Sequence, residues 1–168
     1  MLGALSLVVS SQVAASVKDA GDLTGEDAAV IVLLGVESMT ITAIADATQV
    51  THSGAVRMVD RLERAGLVRR GRGEDGRTVV VSLTAAGVAQ RDRVLAARAD
   101  LLDSLLTSIT AAERAVLAEL LRKILRAAIS TPAAAVRACR LCDEESCVPL
   151  GCPVEDRYQE MLDDGDSN

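Results

Sequence analysis

Aromatic side chains are almost missing from this chain of 168 residues. Phe and Trp do not occur, and Tyr158 is the single aromatic residue. Proteins that read RNA or single-stranded DNA stack bases on aromatic rings, so the composition disfavours that class. The hydrophobic fraction is nevertheless 49%. The core must therefore consist of Ala, Leu, Val and Ile side chains, a composition that favours helices.

Long apolar runs and a basic leader are also missing. No apolar run reaches the roughly 18 residues that a spanning helix needs, so we expect no membrane partner. Residues 1–9 are apolar but lack the positively charged start of a secretory signal. Leu5, Val9, Val13 and Val17 recur close to helical spacing. We therefore expect a packing helix here and a cytoplasmic protein.

The net charge of −6 has the wrong sign for a protein that binds nucleic acid, but it is unevenly distributed. Residues 1–38 carry −4 and residues 131–168 carry −6. Residues 39–84 and 85–130 each carry seven basic against five acidic side chains, which gives +2 for each segment. The middle of the chain can therefore meet phosphate.

Capping residues predict several helices. Thr24 precedes an acidic first turn, and residues 40–48 predict a short helix. After a two-residue turn, Thr51 caps a second helix that runs to about Ala65, and Gly66 supplies the stop.

Two long helices are predicted in the second half of the chain. Thr84 opens the first of them, and Thr110 with Glu113 forms a capping box at the start of the other. Thr131 and Pro132 end that helix. The fold class is therefore mainly α, and the chain is expected to end in a frayed acidic segment over residues 162–168.

The second helix of the short pair has one apolar and one polar face. Its inward positions are Ala55, Val56, Val59 and Leu62. The polar residues of its first turn and outward stripe are His52, Ser53, Gly54, Arg57, Arg61 and Arg64. A short polar first turn with Gly lets a helix sit deep in a major groove, where side chains reach base edges.

A basic hairpin follows this helix. Residues 67–77 and 78–83 are two β-rich runs joined by a Gly-rich turn. Its arginines are Arg69, Arg70, Arg72 and Arg77. A basic hairpin beside a recognition helix suits the minor groove and its phosphates.

These segments resemble the MarR family of winged helix-turn-helix transcription regulators over roughly residues 1–130. The closest stretches are residues 62–68 (LERAGLV), 75–78 (DGRT) and 83–87 (LTAAG). The resemblance implies a winged helix-turn-helix over residues 39–84. It also implies a helical dimerisation region formed by residues 1–38 and 85–130, and it leaves residues 131–168 as an acidic tail with four cysteines.

The resemblance further implies a homodimer, more often a repressor, that places two recognition helices on a palindromic site in double-stranded DNA. By family position, residues 51–54 (Thr51, His52, Ser53 and Gly54) and Arg57 would meet bases or phosphates, and Arg77 would enter the minor groove. Asp75 would orient the wing through a salt bridge. Relatives commonly bind a small-molecule effector, which here would need an aliphatic pocket.

The tail carries all the cysteines of the chain, namely Cys139, Cys142, Cys147 and Cys152. Their C-x2-C-x4-C-x4-C spacing resembles the zinc knuckle, with Cys147 in the place of its His. Four thiolates close a tetrahedral zinc site with no open position. Knuckles usually bind single-stranded nucleic acid, but the acidic loop and the missing aromatics argue against that here. We therefore expect zinc, which would either staple a tail with little core of its own or couple metal occupancy to the spacing of the two DNA-reading heads.

Other chemistries remain open for the tail. The compact cluster that ends in Cys152 and Pro153 also resembles the iron–sulfur segments of SoxR-type redox regulators and bacterial ferredoxins. Reversible disulfides are the third alternative. A redox or metal-binding protein whose tail is the active part, or a zinc-stabilised interaction module, is thus the alternative function. The sequence offers no paired carboxylates with a nucleophile and no phosphate-cradling loop, so we do not expect an enzyme.

Overall fold

The computed structural model describes residues 1–73 and 76–166, with the side chains of the last two of these omitted. The chain divides into two compact units, Met1–Ser104 and Leu105–Asn168. The first unit contains α1 (Leu2–Gly21), α2 (Gly25–Leu33), β1 (Met39–Thr40), α3 (Ile41–Thr48), α4 (His52–Arg64), β2 (Val68–Arg72), β3 (Val79–Leu83) and nearly all of α5 (Ala85–Leu105). The second contains a 3₁₀ turn (Leu106–Ser108), α6 (Ala111–Ala128), α7 (Pro132–Cys139), α8 (Glu144–Cys147), a further 3₁₀ turn (Val148–Leu150) and α9 (Pro153–Asp166).

The predicted caps are confirmed at Thr24, Thr51 and Thr110, and Thr40, predicted as part of a helix, also caps one. The hydroxyl oxygen of each of these threonines accepts a hydrogen bond from the backbone N–H three residues later. Asp27 and Glu113 complete reciprocal capping boxes at two of them. Gln49 turns the chain between α3 and α4 in the left-handed region, with φ of 57°. These local bonds set the bounds of the helix-turn-helix, since they satisfy backbone donors that a helix start leaves free.

The predicted wing is a hairpin of β2 and β3 within an antiparallel sheet of order β1–β3–β2. Arg70 pairs with Val81, and Val81 also pairs with Met39 of β1. The short strand β1 was not predicted from the sequence. It covers the outer edge of β3 and so anchors the wing to the residues that precede α3. Asp75, the predicted wing-orienting residue, lies outside the described residues.

The core of the first unit is aliphatic, as predicted. Its fully buried large side chains are Val17, Val30, Ile31, Ile44, Val59, Leu62, Val68, Val81 and Val94. The predicted inward face of α4 needs one correction: Val56 is only half-buried, whereas Met58 is 5% exposed. Met58 lies four residues before Leu62, so the helix buries a stripe that is shifted by part of a turn from the predicted one.

Thr84 and Gly87 join the start of α5 to the chain segment between α4 and β2. The Thr84 hydroxyl donates to the carbonyl oxygens of Gly66 (2.6 Å) and Leu67 (3.2 Å), and it accepts from the Gly87 amide. A Cβ on Gly87 would lie 2.0 Å from the Leu67 carbonyl oxygen. Only glycine therefore permits this close approach of two backbones.

The second unit has a small core of its own, so the expectation of a coreless tail is wrong. Ile129, Ala135, Cys152 and Val154 are buried together, and the partly buried Ala134, Cys139, Cys147, Tyr158 and Met161 pack against them. The expected frayed end is wrong for residues 162–166, because α9 continues to Asp166, while the last two residues of that expectation lie outside the described residues. Pairing of Ile129 with residues of α9 is a non-local contact, which a local pattern does not reveal. Within the described chain, no helix is long and apolar enough to cross a membrane.

Candidate functional site

The first turn of α4 presents a short polar surface. Thr51, His52 and Ser53 are exposed, and Gly54 is half-buried. The Thr51 hydroxyl accepts from the Gly54 amide at 3.1 Å and lies 3.2 Å from the Ser53 hydroxyl. A Cβ on Gly54 would lie only 3.2 Å from the Thr51 hydroxyl and 3.4 Å from the Val50 Cβ. Glycine therefore lets Thr51 and Val50 pack closely against this turn, and it adds no side chain to the turn's surface.

The predicted arginine stripe of α4 separates into different environments. Arg57 is exposed one turn after Ser53. Arg61 instead forms a bidentate ion pair with Asp27 of α2, with Nη2–Oδ1 at 2.5 Å and Nε–Oδ2 at 3.2 Å. Asp27 is 2% exposed, while half of the Arg61 side chain remains in solvent. Arg61 therefore fixes α4 to α2, and its predicted contact with DNA stays a prediction.

Arg70 is likewise engaged within the first unit. Its guanidinium pairs with Asp60 at 2.6 Å and with Glu63, and its backbone amide donates to Glu63 Oε1 at 3.1 Å. The hydrogen bond to Asp60, helped by the charge of Glu63, raises the pKa of the Arg70 guanidinium above its ordinary value. This cluster ties β2 to the last turns of α4.

The outer part of the wing stays accessible. Arg69, Arg72 and Arg77 are exposed, and Arg72 makes a long contact of 3.5 Å with the Gly76 carbonyl oxygen. Gly76 has φ of 65° and donates to the Gly73 carbonyl, which closes the turn. The structure thus brings the first turn of α4 and an arginine-bearing hairpin together in one unit.

Sequence reasoning missed the acidic partners of these arginines. Asp27 lies 34 positions before Arg61, and Asp60 lies ten positions before Arg70. No local pattern marks Asp27 as more than a helix-capping residue, because its second role arises only when α2 packs on α4. Asp60 and Glu63 fall one turn apart on α4, and that spacing is the one signal that could have indicated a basic partner.

The four cysteines lie at successive turns of the second unit. Cys139 ends α7, Cys142 follows one turn later with its amide donating to the Cys139 carbonyl at 2.7 Å, and Cys147 ends α8. Cys152 precedes α9, and its carbonyl oxygen accepts from the Asp156 amide. All four are free thiols, and Cys152 is 7% exposed.

The thiols are neighbours in two pairs, Cys139 with Cys142 and Cys147 with Cys152. The bond with Cys142 and burial raise the pKa of the Cys139 thiol well above its usual range. Burial and then the bond with Cys152 raise the pKa of Cys147 to about 11. Each pair also feels the charge of a member of the other. As the thiols stand, no three His, Cys, Asp or Glu side chains in the described part of the chain are grouped to hold a metal ion.

Comparison with known proteins agrees with this geometry. Residues 21–78 match the model of the MarR family. The fold is similar to MarR from E. coli, with a TM-score of 0.61 and 28% identity over 74% of this chain and 97% of that one. It is also similar to YusO from Bacillus subtilis, with a TM-score of 0.66 and 27% identity over 75% of this chain and 90% of that one.

At the level of the fold alone, the chain resembles MepR, a transcription regulator of the Staphylococcus aureus multidrug efflux pump MepA. The TM-score is 0.67 and the identity 18%, over 76% of this chain and 96% of that one. No curated protein matches the chain. The family match, which spans the helix-turn-helix and the first wing strand, and the shared fold show a MarR-type winged helix-turn-helix, the fold of a family of transcription regulators rather than of enzymes.

Proposed function

We propose that the chain acts as a homodimeric repressor that binds a palindromic operator in double-stranded DNA. The observation that carries this proposal is the exposed, Thr51-capped first turn of α4 beside the arginine-bearing wing, in a chain that matches the MarR family. Thr51, His52, Ser53 and Arg57 would reach base edges and phosphates of a major groove. Arg72 and Arg77 would meet the adjacent minor groove and its phosphates.

The second copy in the homodimer would cover α6. No residue of this helix is buried in the single chain, and its large apolar side chains are exposed: Val116, Leu120, Leu121, Ile124 and Leu125. A shallow apolar groove of about 450 Å³ runs beside them, lined by Ile109, Ala112, Glu113, Val116, Leu117 and Leu120. An apolar patch of this kind on a helix marks a contact surface. A self-complementary interface between two copies matches a palindromic site.

The proposal includes regulation and a compartment. An effector, metal or oxidant would shift the dimer away from the half-site spacing that fits the operator. The segment that precedes Cys152 adjoins α6 in the same unit, because Arg122 of α6 donates to the carbonyl oxygens of Gly151 and Leu150. A regulator of this kind works where the DNA is, and we place it in the cytoplasm.

The test is selection of a duplex from a random pool, followed by titration of the full chain against the selected site. Arg57→Ala should weaken binding by about tenfold and lower the salt dependence by about one counterion per lost phosphate contact. The control is Arg140→Ala, which removes the same charge from an exposed position at the end of α7. It should leave operator affinity and its salt slope unchanged.

The proposed homodimer is tested on the same duplex. A palindromic selected sequence, bound by two chains, supports the proposal. A chain that is monomeric and binds one half-site, or that shows no duplex affinity even at low salt, overturns it. Operator occupancy that activates rather than blocks a downstream promoter in a reconstituted transcription assay overturns the repressor role alone.

A further inference from the structure

One arginine of the wing has its charge cancelled within the protein. Two carboxylates of α4 hold the Arg70 guanidinium: Asp60 Oδ1 lies 2.6 Å from Nη2, and Glu63 accepts from Nη1. One positive and two negative side chains leave the group with a net charge of −1. Charge of this sign repels DNA phosphates, so attraction to the DNA backbone does not account for the group. We call Asp60, Glu63 and Arg70 the acidic clamp.

Stability does not account for the acidic clamp either. The exposed fractions of its side chains are 28% for Arg70, 44% for Asp60 and 39% for Glu63. Ion pairs that are exposed to this degree contribute little to the free energy of unfolding, because water screens them. They do supply geometry, since the planar guanidinium donates in fixed directions to two separate acceptors. An arrangement of this kind suits a role in orientation.

The acidic clamp also holds the main chain of the wing. β2 is an edge strand of the sheet, whose order is β1–β3–β2. The backbone amide of Arg70 donates to Glu63 Oε1 at 3.1 Å. An edge strand otherwise presents its outer N–H groups to solvent or to another chain. Glu63 therefore holds both the backbone and the side chain of one residue, and Asp60 lies one turn earlier on the same face of α4.

The position of Arg70 decides where the outer wing lies. Arg72 is two positions further along β2, a distance of about 7 Å at the usual rise of a strand. Arg72 and residues 76–79 are exposed. A rotation of the strand at Arg70 would move all of these groups relative to α4. Contact with two adjacent grooves of one duplex requires that this relative position is correct.

We propose that Asp60 and Glu63 are positioning residues for DNA binding. By holding Arg70, they fix the wing relative to α4. Arg57 on the helix and Arg72 on the wing can then engage the same duplex at the same time. This inference rests on the proposed function, and it adds two acidic residues to the DNA-binding machinery that do not themselves touch DNA.

The first test uses the sign of the change in operator affinity. The double variant Asp60→Ala/Glu63→Ala removes two negative charges, and α4 should persist because Ala suits a helix interior. Charge alone predicts tighter binding to the selected duplex, whereas the proposal predicts binding that is weaker by about tenfold. The control is Glu37→Ala/Asp46→Ala, which makes the same change in net charge at two exposed positions of the same unit. It should bind at least as tightly as the parent. Affinity of the clamp variant equal to or above that of the parent overturns the proposal.

A double-mutant cycle separates positioning from a general loss of structure. Arg72→Ala should weaken operator binding by about tenfold in the parent and by about twofold or less in the clamp variant, because the displaced wing no longer makes that contact. Arg57→Ala should cost the same in both backgrounds, since α4 still reads the major groove. A general structural defect would change the cost of both substitutions. An unchanged cost of Arg72→Ala overturns the proposal.

The free chain gives a measurement that does not depend on DNA. The Arg70 amide should exchange its hydrogen about tenfold faster in the clamp variant, because it loses its acceptor. Glu63→Gln keeps a side-chain oxygen that can accept from this amide, so it should restore part of both the protection and the operator affinity. Unchanged exchange in the clamp variant overturns the proposal. A parent chain that binds no duplex overturns the proposed function and the role in DNA binding, while the exchange rate still decides whether the acidic clamp holds β2.

Discussion

The two units of the chain achieve stability by different means. In the first, α2 alone contributes a run of buried side chains from Asp27 to Leu33 around an aliphatic core. In the second, α6 spans eighteen residues and buries none of them, and the core of the described residues rests on Ile129, Ala135, Cys152 and Val154. A small core rarely suffices without an added constraint such as a metal or a partner chain. The difference indicates that the first unit carries its own core, whereas the second buries little apolar surface by itself.

The largest effect should come from placing a charge on α6. Leu120→Glu leaves the single chain folded, because the side chain is 51% exposed, but it places a carboxylate in the proposed interface. We expect dissociation to monomers and a loss of operator affinity of about 100-fold or more, since two linked half-site contacts become independent. Analytical ultracentrifugation and DNA titration measure both. Lys123→Gln makes the same change in net charge on the same helix and should preserve the dimer; a dimeric Leu120→Glu protein would contradict the interface.

The next largest effect should be a loss of stability that is confined to the first unit. Gly87→Ala places a Cβ at 2.0 Å from a backbone oxygen, so either α5 or the Leu67 segment must move. We expect a loss of about 3 kcal/mol in the free energy of unfolding of the first unit. Hydrogen exchange resolves the units and should show no change in α7 or α9. Gly25→Ala is the control, because its Cβ would meet nothing within 4 Å, and its stability should stay close to that of the parent.

A smaller loss should follow removal of Arg61. Arg61→Ala leaves the Asp27 carboxylate buried without its cation, which costs about 2–3 kcal/mol when the lost partner is itself half-exposed. Denaturant unfolding measures this loss. Arg64→Ala is the control: its side chain bonds only to the Asp60 carbonyl of its own helix among the contacts described, so the change should stay within about 0.5 kcal/mol.

The same pair of variants separates a structural role of Arg61 from a DNA contact. If Arg61 acts only by holding α4 to α2, the folded fraction of Arg61→Ala should retain the salt slope of operator binding. A slope reduced by about one, at full folding, would instead establish a phosphate contact.

The smallest changes in stability are expected from two arginines of α6. Arg122→Ala removes hydrogen bonds to the carbonyl oxygens of Leu150 and Gly151, and we expect a loss of about 1 kcal/mol in the free energy of unfolding. Arg126→Ala breaks an exposed ion pair with Glu160 of α9, and its stability should stay close to that of the parent. Calorimetry of the full chain measures both changes. Equal stability of the two variants would contradict a role of Arg122 in holding the segment before Cys152.

The sequence predicts those features that arise within one turn of the chain. The caps at Thr24, Thr51 and Thr110 are of this kind, because each hydroxyl bonds three residues ahead. The order of helices and wing follows from the same local signals, and so do the exposed residues of the first turn of α4. For these features the resemblance to a known family and the local chemistry gave the same answer.

Features that depend on distant residues were not predictable in this way. The Arg61–Asp27 pair and the strand β1 require that separate elements pack first. In the tail, Thr131 and Pro132 were interpreted as the end of α6, yet Thr131 also accepts from the Ala134 amide and so caps α7. The helical tail was missed because its core joins Ile129 to Val154, which lie on either side of α7, α8 and a 3₁₀ turn.

The single aromatic ring gives the molecule a built-in reporter. Tyr158 packs against the small core of the second unit, and the first unit has no aromatic residue at all. Phenol emission and near-ultraviolet dichroism therefore follow the tail alone, while far-ultraviolet signals follow every helix. Denaturation followed by phenol emission and by far-ultraviolet dichroism should yield two unfolding curves. The curves separate when the tail is destabilised, and they coincide only if the two units unfold together.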